Sequence, residues 1–311
     1  MNKMKRIVFL LLFLILPVTA SAQGEGGLAG AFLRMGLGAR AIAMGGAQTA
    51  VADDGFAAFY NPAGLPFLNK KHFSTTYSLL SLDRKIQYIS YSQSLKPQAG
   101  FSIFWLSAGT DKIDGRDLSG NRTFDLSESV NVFGLSFANR FHEKVSIGLT
   151  VKVIRHNLDL VSDDLSADDL FFDMGLMVLP LKDLTVAIQL KDLNGGLSWD
   201  TQNIFTRGTT SVDSIPYTVN LGASYILNDI FLISTTLEFN QLLQEKFRLG
   251  VEYHGNDLYT LRVGTNDDRI AFGGGLFYSV SDNLETEINY AFQQEFSGEG
   301  GTHLFSWEFI F

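Results

Sequence analysis

The sequence predicts an all-β fold: a transmembrane antiparallel β-barrel of about fourteen strands with a small N-terminal Gly/Ala-rich helical plug. Three observations predict it. Long segments alternate large apolar residues with small or polar ones at a period of two. No run of roughly eighteen apolar residues follows the first 22 positions, although 46% of the chain is hydrophobic and 26 residues are Phe, so helical membrane spans are excluded. The connections between the alternating segments also sort into a short set and a long set, as they do in outer-membrane barrels.

In chain order, Met1 to Ala22 come first. Lys3, Lys5 and Arg6 precede the apolar run Ile7 to Leu16, and Ala20-Ser21-Ala22 closes it. This is the pattern of a secretory signal peptide, with cleavage expected between Ala22 and Gln23. The chain has no cysteine, so neither a disulfide nor a cysteine-linked lipid can hold the product, and anchoring must come from the fold. Losing three leader cations leaves 21 Lys and Arg against 33 Asp and Glu, a balance of −12. That balance argues against nucleic acid or an anionic membrane surface as the partner. The expected division is 1–22 signal peptide, 23–70 plug and 71–311 barrel, in a bacterial outer membrane.

Residues 24–66 form the one composition shift, with ten Gly and eleven Ala among 43 positions. Gly38 to Ala47 reads as a short helix ended by Gly45 and Gly46, and Asn61-Pro62-Ala63-Gly64 reads as a turn. Small side chains let backbone pack on backbone, which a segment folded inside a barrel lumen requires. The string from Phe32 to Leu65 contains Gly38-Ala39-Arg40-Ala41, Met44-Gly45-Gly46-Ala47, Ala52-Asp53-Asp54 and Tyr60-Asn61-Pro62-Ala63-Gly64-Leu65. It resembles the N-terminal signature of the PorV/PorQ family, within the wider FadL-like barrels. The resemblance implies a plug followed by a fourteen-stranded barrel and assigns the plug signature to Gly38, Arg40, Gly45, Gly46, Asp53, Asp54, Asn61, Pro62 and Gly64.

The strands follow at 72–81, 84–94, 98–108, 128–140, 144–156, 169–180, 183–193, 215–227, 229–240, 245–254, 256–265, 268–280, 283–295 and 301–311. The segment from Val145 shows the pattern: Val145, Ile147, Leu149, Val151 and Val153 share one parity, and Ser146, Gly148, Thr150 and Lys152 the other. A soluble sandwich also alternates, but these segments match the length of a tilted membrane strand. With the first strand running outward, the inner connections are all short. The long ones, near 109–127, 157–168 and 194–214, all fall on the outer side. In the last strand Phe305, Trp307, Phe309 and Phe311 share one parity, which resembles the signal read by the barrel assembly machinery.

Several motifs carry no chemistry. Gly36-x-Gly38-x-x-Ala41 fits a dinucleotide fingerprint formally but lacks the strand and crossover that fingerprint needs. Asp111, Asp114, Asp117 and Asn121, and Asp163-Asp164 with Asp168-Asp169, look oxygen-rich but miss calcium-loop spacing. None of His72, His142, His156, His254 and His303 sits in a nucleophile elbow or a metal-binding helix motif. Lumen-facing Lys152, Lys246, Arg248 and Arg262 beside Glu285 and Glu287 read as salt bridges to the plug or to neighbouring strands. No catalytic residue, cofactor or metal is expected.

Three functions stay open, one of them a plugged structural scaffold with no transport. The resemblance implies a receptor or shuttle of type IX protein secretion, which would contact secreted cargo or secretion-apparatus components; the candidate surface is the loop at 194–214, with Trp199, Ile204 and Phe205 as candidate contacts, the alternative being a loop folded inward over the lumen. Another is a FadL-like transporter of hydrophobic small molecules, for which Gly273-Gly274-Gly275 could mark a kinked, opening wall strand or simply tight packing against the plug. Outer-membrane lipid is the partner under all three.

Overall fold

The computed structural model describes residues 28–80, 83–159, 164–202, 208–242, 244–256, 258–267, 269–294 and 301–311. The expected leader and its cleavage point, together with Ile204 and Phe205, lie outside these residues. Sixteen strands form: β1 (His72–Leu79), β2 (Arg84–Leu95), β3 (Ala99–Arg116), β4 (Arg122–His142), β5 (Val145–Asp159), β6 (Asp164–Leu181), β7 (Leu184–Leu193), β8 (Gly196–Asp200), β9 (Thr210–Ser214), β10 (Thr218–Leu227), β11 (Phe231–Asn240), β12 (Glu245–Asn256), β13 (Tyr259–Asn266), β14 (Arg269–Ser281), β15 (Leu284–Gln294) and β16 (Gly301–Ile310). Fourteen of them close into one antiparallel barrel, with β7 paired to β10 and β1 to β16, while β8 and β9 pair only with each other.

Closure is continuous to the last residue. Thr75 lies opposite Trp307 and Tyr77 opposite Phe305, and Lys71 and Phe311 exchange backbone hydrogen bonds of 2.9 and 3.0 Å beyond the strand ends. No barrel edge is left unpaired, as a lipid environment demands. The parity holds all round. In β5, Ile147, Leu149 and Val153 point outward, whereas Ser146, Gly148, Thr150 and Lys152 are buried against the lumen. Phe133, Leu135, Phe137, Phe272, Leu276 and Phe305 continue the outward apolar belt, a surface suited to hydrocarbon rather than water.

One end of the barrel has only short turns, among them Lys96-Pro97-Gln98 and Glu143-Lys144. The other end carries the long features, but not as the loops expected at 109–127 and 157–168. There β3 and β4 continue pairing past an irregularity at Thr110/Ile113 as far as Arg116 opposite Arg122, and β5 and β6 pair out to Asp159 opposite Asp164. Backbone pairing needs no apolar face, so arms that have left the membrane keep their hydrogen bonds while losing the alternation that marks a strand in sequence. Gly273, Gly274 and Gly275 likewise do not break the wall: all three pair with both β13 and β15. Of the two readings, tight packing is the one observed at Gly273, where a Cβ would stand 2.8 Å from that of Ala43.

Residues 28–71 fill the lumen. Short helical turns at Ala31–Arg34, Ala39–Ala43, Ala57–Tyr60 and Pro62–Phe67 are joined by extended chain. Such turns are too short to stand alone, and their order comes from the wall. Wall side chains satisfy plug carbonyls: the Ser90, Ser224 and Ser234 hydroxyls donate to Gly55, Ala50 and Ala47 at 2.7, 2.9 and 2.6 Å, and Gln189 donates to Phe59 at 3.1 Å. This accounts for the Ser and Thr on the lumen face.

Candidate functional site

Two regions inside the barrel differ in chemistry, and together they define the site. The first locks the plug. Arg40, at the start of the Ala39–Ala43 turn, donates to Asp53 at 2.6 Å and reaches Glu252 on β12 with Nε and Nη2 at 2.8 and 2.9 Å. Glu252 also accepts from Arg262 at 2.5 Å, and Arg262 continues to Glu287 at 2.9 Å. On the far side of the plug, Glu308 takes the Gly55 N–H at 3.2 Å and faces His72 Nδ1 at 2.9 Å. Lys152 is enclosed by Asp173 at 2.6 Å and by Asp192, and Arg248 meets Glu238 at 2.8 Å. These lumen charges stand in pairs or chains, whereas Lys191 donates to the Leu33 carbonyl at 2.9 Å and lies over the Phe59 ring.

The nine signature residues all serve this packing. Gly38 and Gly46 have φ of 78°, and at Gly45, with φ of 64°, a Cβ would lie 2.6 Å from the Thr265 nitrogen, so only glycine fits. The Asn61 side chain donates to the Thr49 carbonyl at 3.0 Å and accepts from Ala63 N–H at 3.0 Å, and Pro62 opens the helical turn that contains Gly64. Asp53 and Asp54 both face Arg40. Sequence reasoning placed these residues in the plug; their wall partners Glu252, Arg262 and Glu308 were visible only as lumen-parity charges.

The second region is apolar. In the long-loop half of β2 to β6 the lumen-facing residues are Ile86 and Tyr88, Phe104 and Leu106, Val130 and Val132, Ile154, and Phe171. Towards the short-turn end the same strands present Ser90, Gly100, Ser136, Gly148 and Gly175. Plug residues Leu33, Leu37, Phe56 and Phe59 complete the cluster, with Phe56 stacked on Tyr88 at 5.2 Å and Tyr88 tilted against Phe104 at 5.6 Å. Beside this cluster lies a cavity of about 290 Å³, walled by plug residues 28–32 and Met35, the outer parts of β2 to β5, and Leu197 and Trp199 of β8. Two of its rim charges stand in pairs, Lys85 with Asp111 at 2.6 Å and Glu128 with His156 at 2.8 Å, and Arg84 and Asp213 also line it.

Trp199 was expected as an outward contact. It is turned inward instead, 8% exposed, its ring edge-on to His156 at 4.9 Å between centroids. An indole on the lumen side of an amphipathic hairpin has a dry pocket available, whereas outside it would meet only water. Phe305, Trp307, Phe309 and Phe311 do lie on the outward face of β16 and its end. In the first oxygen-rich stretch the carboxylates have other work: Asp114 sits beside Arg116 and Arg122 at 3.3 Å each, and Asp117 caps its own turn by accepting from the Asn121 side chain and from the Ser119 and Asn121 N–H groups. Among the described residues no group of three or more His, Asp or Glu is arranged to hold a metal ion.

No protein-family profile matches the sequence, and no curated protein matches it significantly. The fold, however, is known. The chain is similar to the Pseudomonas putida toluene transporter TodX at a TM-score of 0.59 and 15% identity, covering 88% of this chain and 96% of that one. The Ralstonia pickettii toluene transporter TbuX aligns at 0.59 and 16%, covering 88% and 97%. A Pseudomonas aeruginosa FadL homologue aligns at 0.60 and 12%, covering 88% and 96%. At these identities the likeness is one of fold: a plugged fourteen-stranded barrel.

Proposed function

We propose that this protein is an outer-membrane channel for small hydrophobic molecules. The observation that carries the reading is a cavity in the long-loop half of the lumen, lined over most of its surface by apolar side chains, with Arg84, Lys85, Glu128, His156 and Asp213 at its rim. A charge-lined lumen suits a water-filled pore; a block of Ile, Leu, Val and Phe facing inward on β2 to β6 serves no such use. Its volume is about 290 Å³, roughly twice that of an engineered apolar cavity of about 150 Å³ that takes up benzene. With Lys85 and Glu128 already paired, a neutral ligand suits it better than a carboxylate. The transporters of the same fold support the reading, since two of them are described as moving toluene. The plug closes the axial route, so the ionic contacts of Arg40 and Glu308 would have to give way, or the wall to part, during passage.

The second reading is the receptor or shuttle of type IX secretion. It is supported by the PorV/PorQ-like signature at 32–65, whose residues are all engaged in plug packing. Trp199, its expected contact, faces the cavity and offers cargo nothing. Uptake decides between the two. Cells expressing the protein should accumulate radiolabelled toluene faster than cells without it, and Ala108→Phe should abolish the gain. Equal uptake, with secretion-apparatus components co-purifying from intact membranes, would favour the secretion role.

A further inference from the structure

The β8–β9 hairpin belongs to no wall. It leaves the barrel after β7 and returns at β10, and its strands form a backbone ladder only with each other. A lone two-stranded hairpin is marginal in water, so its order depends on what it docks against. That is the cavity. Leu197 and Trp199 insert into the apolar cluster, while Ser198, Asp200 and all five residues of β9 are exposed. Gly196 N–H donates to Asp169, on the lumen side of β6, at 2.5 Å, and Ile215 N–H closes the neck onto Gly195 at 2.9 Å. The root is sharply bent, with Asp192 and Asn194 at φ of 60° and 63° on one side and Pro216 on the other. The hairpin therefore forms the long-loop side of the cavity, held by Leu197, Trp199 and, at its neck, Ile215 in the apolar cluster and by one backbone bond to β6, while the plug and the outer parts of β2 to β5 line the rest.

We propose that this hairpin is the lid of the cavity and that Trp199, edge-on to His156, is its latch: ligand exchange with the outer medium passes through undocking of β8, and the indole sets the size of what enters. The inference rests on the cavity reading and adds the route and its regulation. Local opening of this kind comes from the least-anchored element of a fold. A small apolar molecule that displaces Trp199 from the wall regains the same contacts itself, so ligand would favour the open lid only while entering.

Because the chain has no cysteine, single thiols report specifically. Ala108→Cys places a thiol on the cavity wall. A water-soluble maleimide should label it slowly in the otherwise native barrel and about tenfold faster or more when Leu197→Ser and Trp199→Ala are added. Equal rates would overturn the lid. Trp199→Phe serves where the double substitution fails to assemble, and barrel integrity is read from heat-modifiable gel migration. In a second arm, Asp169→Cys with Gly196→Cys, joined by a bis-maleimide, ties β8 to β6. Crosslinked protein should exchange radiolabelled toluene about tenfold more slowly than uncrosslinked protein, and identical exchange would contradict the lid even though toluene binds. Toluene binding to no form, together with the expected labelling difference, would keep the lid and remove the cavity reading.

Discussion

Arg40→Ala should free the plug without unfolding the barrel. In the structure one guanidinium joins three carboxylates, two on the plug and one on the wall, and its side chain is 11% exposed. Breaking a buried ion pair by removing one partner costs about 3–5 kcal/mol when the other is left uncompensated. Here the loss is smaller, because Glu252 keeps Arg262 at 2.5 Å and Asp53 is largely solvated. Asp54 is the group left with least: its one remaining hydrogen bond is from the Phe56 N–H at 2.9 Å. A loss of about 2–3 kcal/mol in plug docking follows, raising the undocked population by a factor of roughly 30 to 150 at about 1.4 kcal/mol per decade. Conductance in planar bilayers is the assay: the native protein should be closed with rare openings, and Arg40→Ala should open often. Arg40→Met with Asp54→Asn, which removes the cation together with the carboxylate it leaves uncompensated, should fall between them. Openings as rare as in the native protein, or loss of heat-modifiable migration, would refute the reasoning.

Other consequences can be checked separately. Gly148→Val would place its Cβ 2.5 Å from the Pro62 carbonyl carbon, so the plug should be displaced at a cost of about 1–3 kcal/mol and become protease-sensitive, while the lipid-facing Ile147→Val should leave it protected. Asp117 is held below the ordinary carboxylate range by the Asn121 side-chain and backbone donors. Its contribution to the turn is therefore present above that range and lost as pH falls through the depressed value, so protease nicking at 117–121 should increase only in acid and Asp117→Ala should be nicked at neutral pH. Phe309→Ser should lower the fraction of chain assembled in the outer membrane, read by heat-modifiable migration.

How much of this was legible in the sequence depends on which signal a residue sends. Ile147, Leu149 and Val153 had to face lipid, and their parity placed the start of β5 within one residue, although the strand runs three residues past the expected end at 156. The arms beyond Thr110 and Leu158 stayed hidden because a paired strand in water is polar on both faces. The lock was half visible: Arg40 and Asp53 stand out in a Gly/Ala segment, but Glu252 and Glu308 lie more than two hundred residues away and only the barrel brings them together. The cavity left a mark that alternation alone overlooks. In Phe101–Leu106 and Val130–Leu135 large apolar residues occupy both parities, and the doubled face is where lipid lies on one side and the apolar cluster of wall and plug beside the cavity on the other. Trp199 read as a loop aromatic because the hairpin that turns it inward is only five residues a side.

The most direct measurement is saturation binding of radiolabelled toluene to the purified, folded barrel, native and with Ala108→Phe. The account predicts one saturable site in the native protein, lost when the phenyl ring fills the cavity while the barrel and its plug remain intact. Undiminished binding in the filled variant, or none in the native protein, would contradict it.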